Sequence, residues 1–416
     1  MADSNERMTP RPPAEDSRAA GRSASPADRK AKHRHRRRGR NVWRLVLRIV
    51  LLVALLAGLI LALLHWRDLA PDAMVEWIEE RFTGKGKGEG FPLSIEGDTV
   101  LDMTQVGRQM AVLTDTSLVF LSQSAGTVRT CSFPFANARM FTAGRYVLLL
   151  EQGGSRYQLE TRFETWRSER IAAGNLLTGC VDEKGNFALA LRSASQDYLS
   201  EVVLFDRNGN RQFLWQSPKW LVTDVALRDG RLAVTGLSAV NGALESALIL
   251  FSYRSDPNNP VRVEQSNVLF SRVFLLADGT AAVYSEQSVQ TFDKAGARLG
   301  QFSYGGMELT AVCCRDDKPA LVLSPAGGQG GYLVILDRTA AVAMRSPFSG
   351  AFRSLTAGGP ADFWLLTDAA LAAVNTGGVT QTASVGTDSR LAADFDGQAL
   401  ILGLTELRLH KQEESP

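Results

Sequence analysis

The chain of 416 residues holds four histidines, and their positions limit the chemistry open to it. His33 and His35 stand in an Arg-rich N-terminal stretch, His65 closes a long apolar run, and in the C-terminal body there is only His410, near its end. A Ser-His-Asp hydrolase needs a histidine beside its serine, and catalytic zinc sites commonly use two or three. Neither is expected in the body, and His410 reads as a surface residue on a terminal strand. Carboxylates are the other candidates. Asp316-Asp317, Asp394 with Asp396, and Asp293 are acids of the kind a glycosidase sets roughly 5 to 10 Å apart across a bound sugar. Asp at strand ends and in turns also caps its own backbone, and that structural use is the expectation here.

Two loops invite a ligand reading. Asp206-Arg207-Asn208-Gly209-Asn210 begins like a calcium loop, but its glycine falls at the fourth position instead of the sixth and the twelfth residue is Ser217, not Glu. Asn208-Gly209 between two apolar runs is a hairpin signal instead. Gly327 to Gly331, GGQGG, has no Lys-Ser/Thr after it and no helix behind it, so it reads as a hairpin tip and not as a phosphate loop. The four cysteines, Cys131, Cys180, Cys313 and Cys314, include no CxxC and are too few for a disulfide scaffold. They read as small buried residues, with Cys313 and Cys314 pointing to opposite faces of one strand; a redox or metal pair is the alternative. No residue is assigned a catalytic, cofactor-binding or metal-ligating role, and no cofactor is expected.

The elements that must carry these residues repeat. After the glycine-rich run at 84–90 a unit recurs: a Gly-marked turn, an apolar strand, a polar turn, and a second strand often ending in Asp, Asn or Ser. The first strands include Tyr146 to Leu150, Phe187 to Leu191, Leu232 to Thr235, Ala320 to Leu323, Phe363 to Leu366 and Ala399 to Leu402. The second strands begin at Ser117, Tyr157, Glu201, Ala247, Ser288, Tyr332, Ala370 and Glu406, so successive spacings are 40, 44, 46, 41, 44, 38 and 36 residues by subtraction. That is the length of a four-stranded propeller blade. The fold class expected is all-β, a β-propeller of eight blades, with seven blades or two packed sandwiches as alternatives. The last unit lacks room for a fourth strand, while FPLSIEG from Phe91 precedes the first complete unit. The missing strand is expected from there, closing the ring and hiding the open edges.

Ahead of the body, residues 1–48 carry 14 Lys/Arg against five acids, about +9, which leaves about −7 for the rest of a chain whose formal charge is +2. Ile49 to Leu64 holds no charge and is flanked by Trp43 and Trp66, long enough with its flanks to cross roughly 30 Å of hydrocarbon. The ten Lys/Arg between Arg29 and Arg48, with no acid among them, place the N-terminus in the cytoplasm and the body outside. A cleaved signal peptide is the competing reading, opposed by the 40-odd residues before the apolar run. Pro71 to Phe82 reads as a short amphipathic helix. The expected organisation is 1–41 a disordered basic cytoplasmic tail, 42–66 a single transmembrane helix, 67–90 a juxtamembrane amphipathic helix and Gly-rich hinge, 91–411 the extracytoplasmic propeller, and 412–416 a C-terminal tail. Membrane lipid, met through the helix and its basic flank, is the expected partner of the N-terminal part; nucleic acid is not expected.

With these features in place the chain resembles an uncharacterised bacterial family of single-pass membrane-anchored, propeller-like (WD40/quinoprotein-like) proteins known only as a domain of unknown function. The resemblance lies in Glu76-Trp77, Phe91-Pro92-Leu93-Ser94-Ile95, Tyr198-Leu199-Ser200-Glu201, Thr223-Asp224-Val225-Ala226-Leu227 and Gly236-Leu237-Ser238-Ala239. It implies a cell-membrane location and a fold, and transfers no site residue. Asp206 to Trp215 is similar to the tryptophan-docking repeat of quinoprotein propellers, but equivalent units lack the Trp, so no quinone is implied. The expected function is a non-enzymatic binding or scaffold module for an extracytoplasmic protein or cell-envelope polymer. Two alternatives stand beside it: a polysaccharide-active enzyme using paired carboxylates, and a transmembrane sensor signalling through the basic tail.

Overall fold

A computed structural model describes residues 46–53, 55–56, 88–95, 99–359 and 361–410. The chain divides into two compact units, 1–82 and 83–416. In the first, residues 46–53 and 55–56 are helical and carry exposed apolar side chains, Leu52 at 67% and Leu55 at 70%. Among the described residues no helix is long and apolar enough to cross a membrane. Most of 42–66, and the tail, amphipathic helix and C-terminal tail expected at 1–41, 71–82 and 412–416, lie outside the described residues.

The second unit is an eight-bladed β-propeller. Thirty-two strands, β1 to β32 in chain order, run from Leu93 to His410 and form eight separate four-stranded antiparallel sheets. Seven blades are consecutive meanders: β2–β5, β6–β9, β10–β13, β14–β17, β18–β21, β22–β25 and β26–β29. The eighth joins β30, β31 and β32 to β1 (Leu93–Ser94), in the order β1-β32-β31-β30. The strand missing from the last unit is thus supplied by FPLSIEG, with Leu93 opposite Leu407 and Ser94 opposite Glu406. Seven blades and packed sandwiches are both excluded.

All eight second-strand anchors read from the sequence fall in the third strand of a blade, from β4 (Ser117–Leu121) to β32 (Glu406–His410), and the six apolar first strands fall in the second strand. These middle strands are sheathed on both faces by neighbouring blades and therefore read as continuous apolar runs. In β7 (Tyr146–Glu151) all six residues are buried. Each apolar cluster bridges two adjacent blades; Leu148 and Leu150 of the second blade, for example, pack with Phe187, Leu189 and Leu191 of the third. Burial of each such side chain contributes about 1.5 to 3 kcal/mol, so the ring is held chiefly by contacts between blades.

The recurring Asp at the end of a strand is a turn device. Asp182, Asp206, Asp293 and Asp337 each open a five-residue turn and accept, through one carboxylate oxygen, the amides of the residues two and four further on at 2.7 to 3.0 Å. Gly185, Gly209 and Gly296 take the left-handed conformation the turn requires, at φ of 81°, 79° and 81°. The Asp206 loop is therefore a hairpin, as its Asn-Gly predicted. In an antiparallel meander the first-to-second and third-to-fourth strand loops emerge on one face, so these four turns share a face of the ring.

Closure adds contacts beyond β1. Gly90 N donates to Ser124 O at 3.0 Å and Ile95 N to Thr405 O at 2.9 Å, while Phe91 meets Phe395 edge-on at 6.0 Å. A Cβ on Gly88 would sit 2.1 Å from Ser124 O, so only glycine fits there. Gln123 donates to the Asp396 carboxylate at 2.7 Å, and the Asp396 amide to Gln105 at 2.9 Å, pinning the last blade to the first.

Candidate functional site: the central channel

The innermost strand of each blade lines the central channel: β2 (Val100–Val106), β6 (Ala138–Ala143), β10 (Asn175–Val181), β14 (Leu221–Arg228), β18 (Phe270–Leu275), β22 (Glu308–Arg315), β26 (Phe352–Ala357) and β30 (Leu391–Phe395). In six of them the pairing to the second strand slips by one residue, at Leu101, Leu177, Thr223, Ser271, Thr310 and Arg353. Such bulges re-aim the side chain that follows. Those residues are Asp102, Thr178, Asp224, Arg272, Ala311 and Ser354. Counted back from its hairpin, the unbulged β6 places Arg139 at the same level.

The ring is therefore lopsided. From the first blade to the fifth it reads Asp102, Arg139, Thr178, Asp224, Arg272; the sixth and seventh contribute Ala311 and Ser354. The charged half borders a cavity of about 560 Å³, within the size range of small-molecule sites. The first four of these polar residues lean on the next blade, and Arg272 faces back to the fourth. Asp224 accepts the Val273 amide at 3.0 Å, faces the Arg272 guanidinium at 3.6 Å and receives the Thr178 hydroxyl. Asp102 accepts the Met103 amide at 2.8 Å and feels the charge of Arg139. Arg139 Nε donates to Gln152 at 3.1 Å, and the Gln152 amide donates to Leu177 O at 2.9 Å, which fixes the guanidinium against the third blade.

Burial pushes the Asp224 carboxyl above the ordinary carboxylate range despite Arg272 and its amide donors. The Asp102 carboxyl rises for the same reason, desolvation by the channel wall, against the pull of the Met103 amide and Arg139. Two residues further along the strands, about 7 Å deeper, the lining turns apolar with Phe141, Cys180, Ala226 and Phe274. The channel thus has a charged mouth, toward the loops that join neighbouring blades, and an apolar throat.

The acids singled out from the sequence are not brought together. Asp293 caps a turn in the fifth blade. Asp317 pairs with Arg228 at 3.1 Å and accepts the Ala277 amide at 2.7 Å, while Asp316 lies 3.3 Å from Arg315. Asp394 accepts Trp364 Nε1 at 3.2 Å between blades, its carboxyl raised by burial, and Asp396 serves the ring closure. Cys313 and Cys314 do face opposite sides, one packed toward the seventh blade and the other toward Tyr284 of the fifth. All four thiols are free, and burial pushes Cys131 and Cys314 up to about 12 and Cys313 to about 11, so thiolate chemistry is suppressed.

Asp102, Arg139, Asp224 and Arg272 were missed in the sequence because each resembles a turn acid or a surface arginine. The available signal is a charge inside an otherwise apolar strand, in VLDM, ARMF, VTDVA and SRVF, recurring with Thr178 at steps of 37, 39, 46 and 48 residues by subtraction, close to the blade period.

No family model and no curated protein matches the sequence. Solved structures do. The chain is similar to the dihydro-heme d1 dehydrogenase NirN in complex with DHE, at 13% identity and a TM-score of 0.52 over 79% of this chain and 76% of that one. It is also similar to the C-terminal WD40 domain of Sif2, at 10% identity and a TM-score of 0.53 over 77% and 98%. At these identities the likeness is one of fold, and the fold is the β-propeller.

Proposed function

We propose that the propeller is an extracytoplasmic binding module, held at the membrane by its N-terminal segment, whose protein or cell-envelope-polymer partner engages the charged mouth of the channel. The observation that carries this reading is the half-ring of Asp102, Arg139, Thr178, Asp224 and Arg272 around a ligand-sized cavity. Asp224 is buried, and buried charge is expensive; at this level of the channel the charged residues among those described stand on the first, second, fourth and fifth blades. The compartment rests on the apolar run and its basic flank.

The test is cross-linking in cells of the tagged full-length chain with a membrane-impermeant, amine-reactive reagent, followed by mass spectrometry. The reading expects exposed propeller lysines such as Lys184 and Lys294 to be labelled, and a reproducible partner attached through the mouth face, where Lys219 stands between the third and fourth blades, that the Arg139→Gln/Arg272→Gln double variant loses. Labelling only after the cells are opened would overturn the compartment, and a partner retained by the double variant would overturn the site.

One observation favours a second reading, a polysaccharide-active enzyme: Asp102 and Asp224 border one cavity and both carboxyls are raised, the condition for a general acid. Turnover of an envelope glycan that Asp224→Asn or Asp102→Asn abolishes would establish it; turnover indifferent to both would remove it.

A further inference from the structure

Two of the five blades that form the charged half-ring share a pattern the others lack. Arg139-Met140-Phe141 on β6 and Arg272-Val273-Phe274 on β18 each set a guanidinium at the mouth and a phenyl ring two residues deeper on the same side of the strand. All four side chains line the same cavity. At the corresponding positions the intervening blades carry Thr178 with Cys180 and Asp224 with Ala226, which offer neither.

The hydrogen-bonding capacity of this half-ring is unbalanced toward donors. Asp102 and Asp224 each have an oxygen engaged by a main-chain amide. Arg139 uses only Nε, on Gln152, and its two terminal nitrogens have no hydrogen-bonded partner among the described residues. Arg272 stands 3.6 Å from Asp224, beyond hydrogen-bond length, with its side chain half exposed at 52%. The terminal nitrogen nearest Asp224 is ion-paired with it, while Nε and the other terminal nitrogen have no hydrogen-bonded partner among the described residues. A planar fork of donors is complementary to a carboxylate. Below it, Phe274 is held edge-on against Tyr284 at 5.7 Å, so its ring is a fixed wall of the throat.

Building on the binding-module reading, we infer that the channel receives an organic carboxylate with an apolar, ring-like body, the carboxylate on Arg139 or Arg272 and the body between Phe141 and Phe274. The same chemistry is available from a free small acid or from a carboxylate-bearing group presented by a partner.

Calorimetric titration of the full chain in lipid nanodiscs tests this with three probes: phenylacetate, acetate and phenethylammonium. Phenylacetate is expected to bind while the other two do not, because one lacks the body and the other inverts the charge. Arg139→Gln or Arg272→Gln, whichever arginine holds the carboxylate, is expected to weaken phenylacetate by about tenfold, with the Lys variant of that arginine intermediate and Phe274→Leu weakening it less. Binding of phenethylammonium or acetate as tight as that of phenylacetate overturns the inference. So does the absence of phenylacetate binding up to about 10 mM, or binding unchanged in both arginine variants. The probe series on the unaltered chain decides the matter even where a variant folds poorly. Repeating the cellular cross-linking with saturating phenylacetate separates the sources: loss of the captured partner means that the partner presents the group, and unchanged capture means a free acid. A failed titration beside a partner captured at the mouth would sink the carboxylate and leave the binding module standing.

Discussion

Strands β7 and β14 are both central to their blades' packing, yet they obey different rules. In β7, a second strand, every residue from Tyr146 to Glu151 is buried and the sequence is YVLLLE. In β14, an innermost strand, buried and half-buried residues alternate irregularly around the slip at Thr223, and the sequence LVTDVALR carries a carboxylate at its centre. The apolar residues of the first strand are shaped by contact with neighbouring blades, and its one charge, Glu151, is neutralised by Arg156 on the adjoining strand. The second also faces the channel, and retains a charge that packing alone would not select. The two also titrate in opposite directions: Glu151, at the end of β7, is held down to about 2 by Arg156, whereas Asp224 is pushed up by burial.

The largest expected contrast is in stability. Leu148→Ala in β7, where the side chain is fully buried against the third blade, is expected to cost about 3 kcal/mol in urea unfolding. A loss below about 1 kcal/mol would mean that the blades are not coupled as described.

Glu151→Gln comes next. The Glu151 carboxylate takes both Nε and a terminal nitrogen of Arg156, at 2.9 and 2.6 Å, and the Ala136 amide at 3.2 Å. The side chain of Arg156 is 29% exposed, so solvent screening limits the loss to about 1 kcal/mol at neutral pH. Because the folded carboxyl titrates below its ordinary 4.5, its contribution is present above that value and lost as the pH falls toward about 2. Unfolding measured from pH 7 to pH 2 should show the variant and the unaltered chain converging at the acid end.

Asp224→Asn inverts that behaviour. The native state binds this proton more tightly than the unfolded chain does, so the carboxyl favours folding at acid pH and loses that contribution as the pH rises from 3.8 through its raised value. At neutral pH the variant is expected within about 0.5 kcal/mol of the unaltered chain, with the Val273 amide still accepted by the amide oxygen. A large loss at pH 7 would show that Asp224 is a structural pillar and not a site residue.

Arg139→Gln and Arg272→Gln should have the smallest effect on stability, within about 0.5 kcal/mol, since Arg272 is 52% exposed and Arg139 is solvent-accessible in the channel. Their effect is expected in ligand and partner binding instead.

The same division explains what could be read from the sequence. Middle strands such as FALAL at Phe187 are continuous apolar runs, so their recurrence gave the blade count, and the shortage of a strand after Glu406 pointed to FPLSIEG. Innermost strands were overlooked because a bulge shifts their alternation by one residue, as at Leu101 and Thr223. Outer strands such as β13 (Arg211–Ser217, RQFLWQS) are half exposed and lack an apolar run. The site is assembled from five of the overlooked strands, and no local pattern joins Asp102 to Arg272 across 170 residues by subtraction. Only the ring brings them together. Conversely, Asp206 and Asp293 stood out locally, and locally is where they act, each on the amides of its own turn.

The claim that ligand contacts are made at the channel mouth is tested most directly by placing a photo-cross-linking residue at Leu101, which lines the cavity at 44% exposure, and, as a matched control, at Val379 on the outermost strand β29 (Gly378–Ser384), at 46%. With the full-length protein irradiated in cells, the account predicts a discrete adduct from Leu101 and none from Val379. The same adduct from both positions, or one from Val379 alone, would contradict it and move the binding surface to the rim of the ring.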